Sequence, residues 1–284
     1  MNSENKQICR DFVRPVILPL LNRQPPEKQA FRGVCPHPGL IFCTLLPLLG
    51  TLATIHPPSF LSNSTIATIV GYAQSGLRAD ATMVAPQFLG VGENEAITLE
   101  SLAPTGDDAS DNVNIRVLDA YGRTIEGQDY TWNDWNYSEP CWVDSNYEKV
   151  EGVVFKQGQG LWVYGSSASQ ALQSAGKVGK EDAVVKLRAD ATPTGNPFPV
   201  DIPLQDIVAE GENCSDNVNI RILDAYGRTV EGCDYTWNDW NYSEPCWVDS
   251  NYEKIENVTI PAGQGLWVYG SSDKQFLRFP APEL

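Results

Sequence analysis

Polar and apolar residues alternate over most of Asn114–Leu118 (NIRVL) and again over Asn219–Leu223 (NIRIL), the pattern of a strand with one buried face. Each is followed by DAYGRT, a turn centred on Gly122 or Gly227. Tyr130-Thr131-Trp132 and Cys141-Trp142-Val143 are further strand candidates. Val153–Phe155 and Leu161–Tyr164, separated by the GQG of Gly158–Gly160, read as a hairpin. Nothing in this part of the chain holds a 3.6-residue period with caps. Short strands between Gly, Asn, Asp and Pro turns predict an all-β fold of β-sandwich or small-barrel type.

The pattern is written twice. Asp129–Lys149 (DYTWNDWNYSEPCWVDSNYEK) returns unchanged at Asp234–Lys254, and 49 of the 58 residues of Ser110–Ser167 are identical in Ser215–Ser272. Val117→Ile222, Ile125→Val230 and Val150→Ile255 are swaps that packed cores tolerate. Upstream, LRADAT at Leu77–Thr82 recurs at Leu187–Thr192, and the segment after it is five residues shorter in the second copy. The repeat predicts two tandem homologous modules, over residues 61–179 and 180–284, behind a leader of residues 1–60.

That leader differs in kind. Residues 1–39 carry six Lys/Arg against three acids, and Leu40–Ile55 is a sixteen-residue run without charge. A basic flank before a short apolar run reads as an export signal or signal-anchor; the alternatives are an over-extended reading frame or a buried helix. Sixteen residues is short for a spanning helix, which needs about 20. The expected location is secreted or cell surface, with membrane contact only through the leader.

Composition narrows the chemistry. A hydrophobic content of 42% with 20% charged residues is that of a globular chain. A net charge of −16 argues against nucleic acid as partner. Both histidines, His37 and His56, lie in the leader, so neither module can build a Ser-His-Asp or Cys-His site of its own. Cys214 and Cys233 stand where the first module has Ala109 and Gln128, and their joint appearance suggests a disulfide. Such a bond would close a loop contributing about 3 kcal/mol and imply an oxidising compartment. Cys141 and Cys246, one per module, could bridge modules or chains.

The layout TIVGYAQSGL, MVAPQF, NIRVLDAYG, CWVD, GQGLWVYG, LQSAGKV resembles that of tandem-repeat proteins among the secreted products of bacteria. The resemblance covers residues 65–284 and implies an exported repeat module, with no activity attached to it. The aromatic-acidic stretch is the candidate for binding. Sugar sites set Trp or Tyr faces against a pyranose and use Asp, Asn or Glu for its hydroxyls. Trp135 and Tyr137 with Asp134, and Trp240 and Tyr242 with Asp239, are the rings expected at the surface, since polar residues flank them; most other rings are expected in the core. Asp134, Glu139 and Asp144 could supply paired carboxylates for glycoside hydrolysis, but the whole set is duplicated within small units. No cofactor is expected. Calcium is the one metal to consider, at Asp107, Asp108, Asp111 and Asn112 and, in the second module, Glu212, Asp216 and Asn217. Asn136-Tyr137-Ser138 and Asn241-Tyr242-Ser243 match the glycosylation pattern. The expectation is an exported, non-catalytic structural or adhesion protein at or outside the cell surface, self-assembling or glycan-binding; the alternative is a carbohydrate-active enzyme or its binding appendage.

Overall fold

The computed structural model describes residues 70–92 and 95–283. The leader, with its export reading, lies outside the described residues. Among the described residues the first module has ten strands: β1 (Val70–Gly76), β2 (Asp80–Val84), β3 (Ile97–Thr98), β4 (Leu102–Thr105), β5 (Asn114–Leu118), β6 (Thr124–Asn133), β7 (Cys141–Val143), β8 (Val154–Phe155), β9 (Leu161–Gly165) and β10 (Ala171–Lys177). Ten more repeat the series: β11 (Ala183–Lys186), β12 (Asp190–Gly195), β13 (Ile202–Pro203), β14 (Val208–Gly211), β15 (Asn219–Leu223), β16 (Thr229–Asn238), β17 (Cys246–Val248), β18 (Thr259–Ile260), β19 (Gly265–Gly270) and β20 (Gln275–Phe279).

The chain is all-β, and its two groups of sheets have the same arrangement. A five-stranded antiparallel sheet, ordered β2-β9-β5-β6-β7, faces a three-stranded one, β1-β10-β4, with the short pair β3-β8 at the side. In the second module the orders are β12-β19-β15-β16-β17, β11-β20-β14 and β13-β18. The missing five residues come out of the β2–β3 connection, which is shorter between β12 and β13.

The core of each module arises from alternation. Ile115, Val117, Tyr130, Leu161, Val163 and Trp142 point inward in the first; Ile220, Tyr235, Leu266, Val268 and Trp247 do so in the second. Trp142 is the largest buried ring of the first core. Its Nε1–H donates to the Leu102 carbonyl at 2.8 Å, and Trp132 meets it edge-on at 5.2 Å; Trp247 donates to the Ile207 carbonyl at 2.7 Å, with Trp237 at 5.1 Å. A buried indole needs such a partner, and edge-on ring pairs exploit the quadrupole.

The opposite face of the five-stranded sheet is covered in part, at β2, β9 and the end of β5, by the other module. Ala81, Met83, Leu118 and Trp162 form one apolar cluster with Ala191 and Trp267, flanked by Tyr164, Leu223 and Tyr269. The same residues recur from both sides, so the contact has a pseudo-twofold axis. Edge strands β2 and β12 are sealed at this seam: Val84 bridges to Gln264 and Gln159 to Thr194. Ala85 N–H donates to the Gly263 carbonyl at 2.9 Å, and Gly195 N–H to that of Gly158 at 3.1 Å.

Here one sequence expectation is corrected. Val153–Phe155 and Leu161–Tyr164 do not form a hairpin across GQG. β8 pairs with β3, β9 pairs with β2 and β5, and the intervening glycines line the inter-module seam. Gly160 N–H donates to the Pro193 carbonyl at 3.1 Å, and a Cβ on Gly160 would sit 2.7 Å from the Thr194 nitrogen. The glycine answers a close approach from the other module, a requirement the local sequence does not display.

A second correction concerns the cysteines. No disulfide joins Cys214 and Cys233. Both are buried in the core of the second module, where Cys214 takes the place of buried Ala109, and both serve as small core hydrophobes. Burial, then the charges of Asp239 and Glu210, push the Cys214 thiol up. Cys141 and Cys246 are buried within β7 and β17, their thiols pushed up by burial, and neither is at the surface to bridge modules or chains.

Candidate functional site

The repeated stretch begins in strand β6 and leaves it at Asn133, whose fully buried amide organises the loop beyond the strand. Its Oδ1 accepts from the Asn136 N–H at 2.9 Å, and its Nδ2 donates to Asp111 Oδ1 at 3.2 Å. Asp111 is itself fixed, at φ +59°, by donating its N–H to the Trp132 carbonyl at 2.7 Å. Its second oxygen, Oδ2, takes the Nε1–H of Trp135 at 2.7 Å, a charge-assisted bond of the short, strong kind. Asp134 N–H donates to Ser110 Oγ at 3.0 Å.

Trp135 is thereby clamped by one edge while 63% of it remains exposed. The second module repeats the arrangement bond for bond. Asn238 holds Asn241 and Asp216, Trp240 donates to Asp216 Oδ2 at 2.7 Å, and its ring is 62% exposed.

The neighbouring β7–β8 segment and its β17–β18 counterpart contribute one tyrosine each, Tyr147 and Tyr252. The Asp144 carboxylate accepts the N–H groups of Asn146 and Glu148, closing a tight turn between Val143 and Lys149. These bonds, that from Glu148 foremost, hold the Asp144 carboxyl below the usual aspartate value; the Glu253 N–H does the same for Asp249. That is the wrong direction for a general acid, which needs a raised value.

The turn puts Tyr147 and Tyr252 in the left-handed region, both at φ +60°. A bulky residue there is a true outlier, since the position ordinarily favours glycine or asparagine. Tyr137 ties the turn to the Trp135 loop: its hydroxyl donates to the Tyr147 carbonyl at 3.0 Å and accepts from the Lys149 N–H at 3.0 Å. Tyr242 does the same with Tyr252 and Lys254. Trp240 and Tyr252 stand 6.3 Å apart at a 55° tilt, an open aromatic corner.

The structure therefore brings Trp135 and Tyr137 together, and Trp240 and Tyr242 together, at exposed loops. Asp134 and Asp239 border these loops through backbone bonds. Two participants per module are not identified by sequence reasoning alone. Tyr147 and Tyr252 are visible there as aromatic but not as strained. Asp111 and Asp216 read as possible calcium ligands, whereas their carboxylates hold the indoles. Among the described residues no group of three or more His, Cys, Asp or Glu side chains is placed to hold a metal ion. Asn112 turns its amide to the carbonyls of Asp108 and Ser110.

A second aromatic feature lies at the seam. Tyr121 and Tyr226 project from the DAYGRT turns, 71% and 72% exposed, over a cleft between the modules. Each turn is closed by its aspartate: Asp119 accepts the N–H groups of Tyr121 and Arg123, and Asp224 those of Tyr226 and Arg228.

No family model matches the chain, nor does any curated protein or solved structure.

Proposed function

We propose that the chain is an exported, non-catalytic glycan-binding protein whose two modules each offer a rigid aromatic platform: Trp135, Tyr137 and Tyr147 in one, Trp240, Tyr242 and Tyr252 in the other. One observation carries the reading. Two tryptophans are held in place yet left more than half exposed, each by one oxygen of a carboxylate whose other oxygen takes the amide of a buried asparagine. Exposed apolar rings weaken solubility, and a fixed one makes sense where a partner will cover it. Fixing the ring in advance removes the ordering cost from binding. Its face suits the C–H face of a pyranose, and the adjacent Asp134, Asn136 and Ser138 suit hydroxyls. Export rests on the basic-then-apolar leader and on the resemblance of the repeat layout to secreted bacterial proteins; the cysteines lend it no support.

Two copies on one chain make a bivalent binder, in which linkage raises avidity by about 10²–10⁴ on a surface bearing many ligands. A glycan array probed with the full chain and with Trp135→Ala/Trp240→Ala tests this. Avid array binding should be lost in the double variant while its far-UV spectrum and melting temperature stay those of the parent. Either single variant should lose most of the avidity and keep the weak monovalent binding. A double variant that binds the array like the parent would sink the proposal.

A further inference from the structure

The cleft at the seam is a separate feature from the two platforms. It encloses about 800 Å³, within the roughly 300–1,000 Å³ typical of small-ligand sites. Tyr121, Trp162 and Tyr164 line it from the first module, and Tyr226, Trp267 and Tyr269 from the second. These are the same three ring positions seen from two sides, so the aromatic lining spans the pseudo-twofold axis. A ligand that uses both walls must be long enough to cross from one module to the other.

The polar groups decide the ligand's charge. Arg221 and Arg228 line the cleft, but each is already neutralised: Arg221 by Asp234 at 2.9 Å, Arg228 by Asp224 at 2.8 Å. Their guanidinium planes lie over rings of the wall, Arg221 4.6 Å from the Tyr269 centroid and Arg228 5.1 Å from that of Tyr226. The remaining charged group in the lining is the carboxylate of Asp80, and Thr124 and Thr229 add hydroxyls. Among the described residues of the lining no unpaired cation awaits an anionic ligand, and the whole chain at −16 repels one. A purely apolar ligand would waste the donors and acceptors beside each ring.

We infer that this cleft binds a neutral oligosaccharide, one chain per protein, stacked between Tyr121 and Tyr226 with its hydroxyls on Asp80, Thr124, Thr229 and the outer guanidinium nitrogens. The inference shares only its ligand class with the platform reading and uses none of the platform residues. It accounts for two rings, Tyr121 and Tyr226, that are kept in place by turn and guanidinium contacts while most of their surface stays open. It also gives the close inter-module packing a purpose, because separated modules would have half a site each.

Isothermal titration of the full chain tests it, with cellohexaose, xylohexaose and mannohexaose as neutral probes and a galacturonate hexamer as the charged control. At least one neutral hexasaccharide should bind with a stoichiometry of one. Tyr121→Ala/Tyr226→Ala should weaken that binding about tenfold or more, as loss of central aromatic contacts does. Trp135→Ala/Trp240→Ala should leave it unchanged. Both altered tyrosines are mostly solvent-exposed, and a melting curve like the parent's verifies the fold of the variant. Preference for the galacturonate hexamer, or no hexasaccharide binding that depends on Tyr121 and Tyr226, overturns the inference. Failure of the platforms would instead appear as array binding that survives the tryptophan substitutions, so the two outcomes remain distinct.

Discussion

Tyr147 and Tyr252 offer the sharpest test of whether the platforms are built at a cost to stability. Both sit at φ +60°, where an L-residue with a Cβ loses roughly 1–2 kcal/mol. Glycine relieves that strain, but brings about 0.5–1 kcal/mol of extra backbone entropy in the unfolded chain relative to alanine. Alanine at the same position keeps the strain, and both replacements lose the same ring, so ring contacts largely cancel between them. Tyr147→Gly should therefore be more stable than Tyr147→Ala by about 1 kcal/mol, opposite to the order at an ordinary extended position. The two turns lie in different modules and their effects should add. Tyr147→Gly/Tyr252→Gly should exceed Tyr147→Ala/Tyr252→Ala by about 2 kcal/mol, or roughly 4–8 °C in melting temperature for a body of this size. Urea titration and thermal melts of the two double variants measure the difference directly. Both should lose array binding alike, since neither has the ring. Equal stabilities, or an alanine variant above the glycine one, would refute the claim that the turns are strained.

Stability should also fall in acid through the four capping aspartates. Asp119, Asp144, Asp224 and Asp249 are all lowered from an ordinary value of 3.8, chiefly by backbone N–H bonds from Arg123, Glu148, Arg228 and Glu253 in turn. A depressed folded value gives stabilisation that is full above the unfolded pKa and disappears as pH falls through the folded one. The urea midpoint should be flat between about pH 7 and 5 and drop below about pH 4, and Asp144→Asn/Asp249→Asn should blunt the drop. Trp142→Phe keeps most of the ring but orphans the Leu102 carbonyl, and should cost about 1–3 kcal/mol in chemical denaturation. Gly160→Ala drives a methyl group toward the Thr194 backbone and should cost about 1–3 kcal/mol, visible in calorimetry as separate melting of the modules. A single unshifted transition in that variant would mean the seam is loose.

The sequence displays whatever is decided locally. NIRVL and CWV coincide with β5 and β7, and DAYGRT is the β5–β6 turn, since alternation and an Asx-type turn need no knowledge of distant residues. The GQG turn misleads for the converse reason: the atoms that require Gly160 belong to the other module. Leu161–Tyr164 does carry a signal for that contact. Four consecutive large side chains, with no polar alternate, mark a strand covered on both faces, Leu161 and Val163 by its own core and Trp162 and Tyr164 by the seam. The paired cysteines mislead because joint appearance in one copy is as well explained by two neighbouring core substitutions as by a bond. Strain at Tyr147 is invisible in the sequence, because backbone φ at a turn depends on its closing bonds, here the Asp144 cap and the Tyr137 hydroxyl.

The repeat also bears on why the rings divide as they do. The eight tryptophans go to four positions used twice: Trp142 and Trp132 in the core, Trp162 at the seam, Trp135 at the surface, and their counterparts Trp247, Trp237, Trp267 and Trp240. Core positions around them have exchanged Val for Ile between copies, as packing permits. The β6–β7 loop from Asp134 to Pro140 is exposed throughout, and packing places little demand on its exposed side chains, yet it is identical in the two modules. Gly152 is replaced by Asn257, at φ +75° and +66°, one of the few exchanges a left-handed position accepts without strain. Where the fold sets the constraint, the two copies differ in ways the fold allows. The Trp135 loop is unchanged together with the core strands that flank it, and its bonds from Asn133, Asp111 and Tyr137 repeat with it, so both modules carry the same platform.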